Sequence, residues 1–280
     1  MKRAGIILKH LLIIGLLTLF TQIGGVLWLI HIPLHKRLAR VFNKTWKITI
    51  ARLLSFCSFY LFFTLWIVPP LAKWQCGRVP LPVWSNPKLR PHNVFYYALL
   101  NHHYVRPALK RSVEDIAEKL SKKYPGSVLC YLDANFPFID GYPLEPHFTH
   151  RDGKKLDIAL YWKNVESGAI IFGTPSILGY GAAAEPKSGE VNYDEKCRKQ
   201  GNWYRNHERD YLGHFDKSKY VFDETISREM IKLFAEDSSV KSILLEPHLK
   251  TRLGLEKYTK IRFQGCRAAR HDDHIHIQLR

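Results

Sequence analysis

The sequence predicts the α+β fold class, a C-terminal domain of helices and strands preceded by an N-terminal two-helix transmembrane hairpin. Three observations predict it. Two long runs, 11–32 and 53–72, contain no Lys, Arg, Asp or Glu. Segments 112–124 and 224–235 repeat apolar residues at helical spacing, and 274–279 alternates polar and apolar residues without exception.

The first run has Thr18, Gln22 and glycines among its mostly apolar residues, and its length of about 33 Å at 1.5 Å per residue is enough for a bilayer core. It is too long for a signal-peptide core, and no small-residue cleavage pattern follows. The second run stops at Pro69-Pro70. Trp28, Trp46 and Trp74 near the ends suit interfacial anchors. These features divide the chain into a transmembrane hairpin at 1–74, a basic, Pro-rich linker at 75–111 and a folded domain at 112–280. The connection carries Lys36, Arg37, Arg40, Lys44 and Lys47, which favours a cytoplasmic loop with both chain ends outside. Lys2, Arg3 and Lys9, with Lys73, Arg78, Lys88 and Arg90, pull the other way. The balance favours a multi-pass protein of the inner (cytoplasmic) membrane with a periplasmic or extracellular C-terminal domain.

The net charge of +17 raises the question of a nucleic-acid partner. Residues 1–72 hold nine Lys or Arg and no acid, residues 73–111 seven more, and the first carboxylate is Glu114. From 112 onward 26 basic residues face 25 acidic ones. The excess belongs to the N-terminal third and forms no stripe beside a candidate site, which argues against nucleic acid. Cys57 lies in the second apolar run. Cys76, Cys130, Cys197 and Cys266 show no C-x-x-C spacing, which leaves both disulfides, in an oxidising compartment, and free buried thiols open.

Residues 79–92 contain four prolines and read as an extended linker. The helix at 112–124 starts at a Ser112/Asp115 capping pair and ends at Pro125-Gly126. Residues 127–133 read as a strand, as do 156–162, where Leu156, Ile158 and Leu160 share one face and Asp157 projects from the other. Residues 179–222 are irregular, with Tyr193, Trp203, Tyr204, Tyr211 and Phe215 scattered through them, and read either as a lid or substrate wall or as a loop that these aromatics anchor to the body. A helix at 224–235 and a short strand at 242–246 precede the last strand.

Two stretches carry the chemistry. His147-Phe-Thr-His150 is followed by Asp157, with Gly153 placed to let His150 fold back over the carboxylate. On the last strand His274 and His276 share one face about 7 Å apart, just after His271-Asp272-Asp273. Imidazole and carboxylate are the ligands of a catalytic zinc, and the two aspartates can orient an imidazole or serve the turn. On spacing alone, either or both of His274 and His276 can bind the metal.

The pattern His147-x2-His150-x6-Asp157, then His271-x2-His274-x-His276, resembles the penicillin-insensitive murein endopeptidases. That group of zinc peptidases includes the D-Ala-D-Ala peptidases, the LytM endopeptidases and the hedgehog signalling domain. The resemblance covers roughly residues 112–280 and implies a small antiparallel sheet with helices outside it. It implies Zn2+ held by His150, Asp157 and His276, with His274 assisting the reaction and His147 and His271 as substrate or outer-shell residues. Peptidoglycan peptides are the implied partner. The membrane hairpin and the 179–222 segment depart from the group's pattern. A binding module that keeps the zinc without turnover is the competing expectation.

Overall fold

The computed structural model describes residues 2–144 and 147–280, with the side chains of 2, 3, 203, 204 and 208 outside that description. Trp203 and Tyr204, expected to anchor the 179–222 segment, therefore lie outside the described side chains.

The run 11–32, expected as one membrane helix, is divided between two. Helix α1 (Lys2–Thr21) ends where Gln22 takes a φ of 64°, and α2 (Gly24–Val41) runs back along it. The reversal is polar: Thr21 Oγ1 accepts the Gly24 N–H, and Gln22 Oε1 accepts the Phe138 N–H of the folded domain. Gly25 permits the close approach, since a Cβ there would lie 2.7 Å from the Ile14 carbonyl oxygen. Gly25→Ala is expected to force α1 and α2 apart and cost about 1–3 kcal/mol. Thermal melting of the helical circular dichroism signal in detergent checks it.

Helix α3 (Thr45–Phe62) continues through a π-helical turn, Phe63–Ile67, into α4 (Val68–Cys76). Pro69-Pro70 do not stop the run as expected. They sit in the first turn of α4, where the Val68 N–H reaches five residues back to the Phe63 carbonyl. The widened turn absorbs the missing proline N–H groups. Two helices, over Ala4–Thr21 and Thr45–Cys76, are long and apolar enough to cross a membrane by length and composition.

Residues 75–111 are not an extended linker. They form β1 (Val79–Pro80), β2 (Leu89–Pro91), a π-helical turn at Val94–Ala98 and β3 (Tyr104–Val105), and they begin α5 (Pro107–Lys123). Leu81, Leu89, Tyr97 and Val105 are buried in the main core. Arg78, fully buried, pairs with Asp140 and donates to the Phe136 carbonyl. Prolines alone signalled extension; the apolar residues between them supply the burial.

The chain then runs through β4 (Leu129–Tyr131), β5 (Lys155–Ala159) and β6 (Trp162–Asn164). The 179–222 segment, expected to be irregular, holds α6 (Tyr193–Lys199) and α7 (His207–Leu212). A disulfide between Cys197 and Cys266 pins it, while Cys57, Cys76 and Cys130 are free thiols. β7 (Tyr220–Phe222), α8 (Glu224–Glu236), β8 (Val240–Leu244), α9 (Pro247–Arg252), β9 (Ile261–Arg262) and β10 (His274–Leu279) complete the order.

The main sheet has six strands in the order β2-β4-β5-β10-β8-β9. Its four central strands pair antiparallel, but both edge strands, β2 and β9, pair parallel, so the sheet is not purely antiparallel. One face presents Leu156, Ile158, Ile275 and Ile277 to a core shared with α5 and α8. Those helices bury Val113, Ile116 and Leu120, and Met230, Ile231 and Phe234. The other face carries Asp157, His274 and His276, because side chains alternate along each strand.

Candidate metal centre

Sheet register builds the centre. β10 lies against β5 with His276 directly opposite Asp157 and His274 opposite Ala159. Opposed Cβ atoms stand about 5 Å apart, and a small residue across from His274 leaves the imidazole room. His150 arrives from the loop before β5. Gly153 takes a φ of 76°, a conformation that favours glycine, and the loop folds back as expected. Asn135 Oδ1 accepts the N–H groups of Asp152 and Gly153, and Arg106 donates to the Asp152 carbonyl, so the turn is held on both sides.

Three ligand-type atoms converge. His150 Nε2 lies 3.2 Å from Asp157 Oδ1, His276 Nδ1 lies 2.9 Å from the same oxygen, and the two nitrogens are 2.9 Å apart. Tetrahedral ligands at zinc distances of 2.0–2.2 Å lie about 3.3–3.5 Å from one another. His147, His150 and Asp157 also form a group able to hold a metal ion, their ligand atoms all within 4.8 Å. His147 Nδ1 is 3.3 Å from Asp157 Oδ2, and its ring stacks on Tyr180 at 4.7 Å. His150 and Asp157 belong to both sets; His147 and His276 compete for the third place. His276 sits on the central strand, and its nitrogen lies closer to Asp157, at 2.9 Å against 3.3 Å for His147.

The surrounding groups set the chemistry. His150 Nδ1 bonds the Ala134 carbonyl at 2.7 Å, so Nδ1 carries the proton in the neutral ring and Nε2 faces Asp157. Asp157 is fully buried, which by itself would raise its pKa, but His150, His274 and His276 hold its carboxyl well below the usual range. Burial lowers His276 to about 4 against the pull of Asp157. Burial also drives His271 well below its ordinary value, so it stands neutral beside His274, ring centroids 4.9 Å apart. His147 is lowered by burial as well, with Asp157 and Asp133 opposing.

His274 Nδ1 lies 2.5 Å from Asp273 Oδ1, whose other oxygen accepts the Gly181 N–H. Burial alone would raise Asp273; the adjacent His274 outweighs it and keeps the carboxylate low. His274 Nε2 then faces Asp157 at 3.9 Å. Of the two aspartates read as orienting groups, Asp273 orients an imidazole. Asp272 pairs instead with Arg270, which also donates to the buried Asn206 and to the partly exposed Glu185.

Three functional neighbours escaped the spacing argument. The Tyr180 hydroxyl lies 3.0 Å from both Asp133 Oδ2 and Asp157 Oδ2, so it ties two buried carboxylates together. Asp133 also meets His102 Nδ1 at 2.8 Å, and His102 Nε2 approaches the Phe20 carbonyl in the last turn of α1 at 3.3 Å. The end of the first apolar helix is thereby linked to the metal centre. Asp133 ends the predicted strand at 127–133, but Tyr180 and His102 lie in segments with no periodic signal.

Glu246 supports His271 from behind: its carboxylate accepts the His271 N–H, and its own N–H donates to the His271 carbonyl. Burial and the Asp272 charge raise its pKa from 4.5 to about 7, with Arg205 opposing. The folded protein therefore holds this proton more tightly than the unfolded chain. Its contribution is complete below pH 4.5 and is lost as pH rises through 7, on the order of 3 kcal/mol in all. Glu246→Gln is expected to remove that slope, which melting curves of both proteins from pH 4 to 8 would measure.

No known protein-family model matches the chain, and no curated protein matches it.

Proposed function

We propose that the chain is a membrane-anchored zinc metallopeptidase that hydrolyses peptide cross-links of peptidoglycan, with His150, Asp157 and His276 as the ligands. The observation that carries this reading is the convergence of three ligand atoms within 3.2 Å of one another beside a His274–Asp273 pair. The donor set, two imidazoles and a carboxylate, fits zinc with a position left for water or substrate. Zinc, when bound, supplies a Lewis acid and lowers the pKa of water to about 7.

The chain's own residues do the rest. The Ala134 carbonyl holds His150 in the tautomer that presents Nε2. Tyr180 fixes the carboxylate of Asp157 in place. Asp273 keeps the proton on His274 Nδ1, so Nε2 carries the lone pair that accepts a proton from water and returns it to the leaving amine. His274 is 1 % exposed, which keeps bulk water from competing for that proton. His147 and His271 line the centre as neutral imidazoles, suited to hydrogen-bonding a peptide substrate.

Membrane placement is supported by an inside-out pattern. Leu12, Val26, Leu29, Ile30 and Leu54 face outward, while Gln22, His31, His35 and Thr64 are buried among the helices. α1, α2 and α3 run alternately up and down, so the N-terminus and the α2–α3 connection lie at one end. Both carry basic residues, Lys2, Arg3 and Lys9 on one and Lys36 to Lys47 on the other, which supports a cytoplasmic position for that end, with the N-terminus inside rather than outside. The catalytic domain is then outside, where the Cys197–Cys266 disulfide persists.

The test uses the full chain, because a fragment beginning at 112 would cut through α5. One zinc per chain and cleavage of cross-linked muropeptides, lost together in His276→Ala, is the expected result. Retained zinc without cleavage overturns the hydrolase in favour of a binding module. A reporter fused after Arg280 and active only in the cytoplasm overturns the outward placement.

A further inference from the structure

Between α1, α2 and α3 lies a cavity of about 510 Å³, lined by residues of all three helices. Its apolar wall includes Ile13, Ile32, Leu53 and Phe56, and its polar end holds Lys9, Lys36 and Arg52. Lys9 and Lys36 each lie twelve residues from the reversal, at Thr21 and Gly24, so they stand at one level about 18 Å along the bundle. The folded domain docks at the opposite end, on Thr18, Phe20 and Thr21.

This cluster has no internal counter-charge. No acidic residue precedes Glu114 in the sequence, and none lines the cavity. Among the described residues, Lys9, Lys36 and Arg52 take part in no ion pair. Arg52 uses Nε and Nη2 on the His35 carbonyl, at 3.3 and 3.2 Å, which holds the guanidinium against the cavity wall. His35 is 7 % exposed and lines the same cavity, with its Nε2 buried and without a hydrogen-bond partner. Trp28 closes the wall and donates its indole N–H to His10 at 3.0 Å. The buried His35 Nε2 is costly to leave unpaired, and the exposed Lys9 and Lys36 with the half-buried Arg52, set at the end of an apolar slot, complement an anion with an apolar tail.

We propose that this cavity seats one anionic phospholipid of the cytoplasmic leaflet. Its phosphate sits among Lys9, Lys36 and Arg52, and an acyl chain lies along Ile13, Ile32 and Phe56. Charge and shape select it together: a zwitterionic lipid brings its own cation to the cluster, and free phosphate leaves the apolar wall bare. Basic pockets between membrane helices on the cytoplasmic side bind anionic headgroups in this way. The inference rests on the membrane placement proposed above and is independent of the metal chemistry.

The experiment is lipid retention by the full chain, purified in detergent and offered phosphatidylglycerol, phosphatidylethanolamine or inorganic phosphate, read by native mass spectrometry and thermal shift. Preferential retention of phosphatidylglycerol is expected, falling about fivefold for each cation removed in Lys36→Gln and Arg52→Gln. Leu53→Trp, which fills the slot and keeps every charge, is expected to abolish retention of phosphatidylglycerol. Equal retention of both lipids, a preference unchanged in the double Lys36→Gln, Arg52→Gln variant, or the same thermal shift from inorganic phosphate would each overturn the site. Release of the chain from membranes by alkaline carbonate would overturn the placement beneath it, a failure distinct from loss of selectivity in an integral protein.

Discussion

His276→Ala is expected to release the metal, whereas His274→Ala keeps it and lowers turnover by about 10²–10⁴-fold. The two histidines share one strand face yet differ in partners. His276 Nδ1 reaches both Asp157 and His150 at 2.9 Å, so its removal takes away a third of the ligand set. His274 stands 3.9 Å from Asp157 and is bound instead to Asp273, the arrangement of a proton-transfer group. Losing an outer-shell partner of a metal costs about 10–100-fold in affinity, and loss of a ligand should exceed that. Zinc content after gel filtration, with turnover on the same samples, separates the two roles. Equal zinc loss in both variants would reassign His274 as a ligand. His147→Ala completes the set, because a loss of zinc as full as that of His276→Ala would make His147 the third ligand.

Replacing Cys197 and Cys266 by serine is expected to cost about 4 kcal/mol. The bridge closes a loop across a sequence separation of 69, and cross-linking a loop of that length removes about that much free energy of unfolded-chain entropy. It also joins α6 to the segment before β10. Arg205, close to α6, donates to the Gly265 and Ala268 carbonyls and pairs with Glu246, which holds His271. The double variant should therefore lose zinc affinity as well as melting temperature. Calorimetric melting, and zinc titration of the folded protein below its melting point, would measure the two effects separately. An unchanged melting temperature would show that the buried Arg205 and Arg270 networks hold this wall without the bridge.

The elements legible in the sequence were those with a local period. The strand 274–279 matches its alternation residue for residue, and the helix at 224–235 extends by one residue at its C-terminal end. The fold-back of His150 over Asp157 was legible because Gly153 marks the turn that permits it. Other features needed the folded chain. The run 11–32 is uncharged and mostly apolar, so its division at Gln22 was decided by docking of that turn on Phe138 and Asn101. The prolines at 79–92 imitated a linker, while burial of Leu81 and Leu89 depends on strands that pair much later in the chain.

The sequence by itself determined the candidate ligand residues, the two strands that carry Asp157 and the paired histidines, and the presence of long apolar helices. Each follows from composition or from a repeat shorter than a turn or two. Tertiary structure alone decided that His276 stands opposite Asp157, that Tyr180 and Asp133 brace the carboxylate, and that His102 connects the centre to the end of α1. The reason is physical. A strand's own pattern says which face a residue takes, but register and hydrogen-bond partners are set when the sheet packs against its helices, here across separations of 23 to 119 residues.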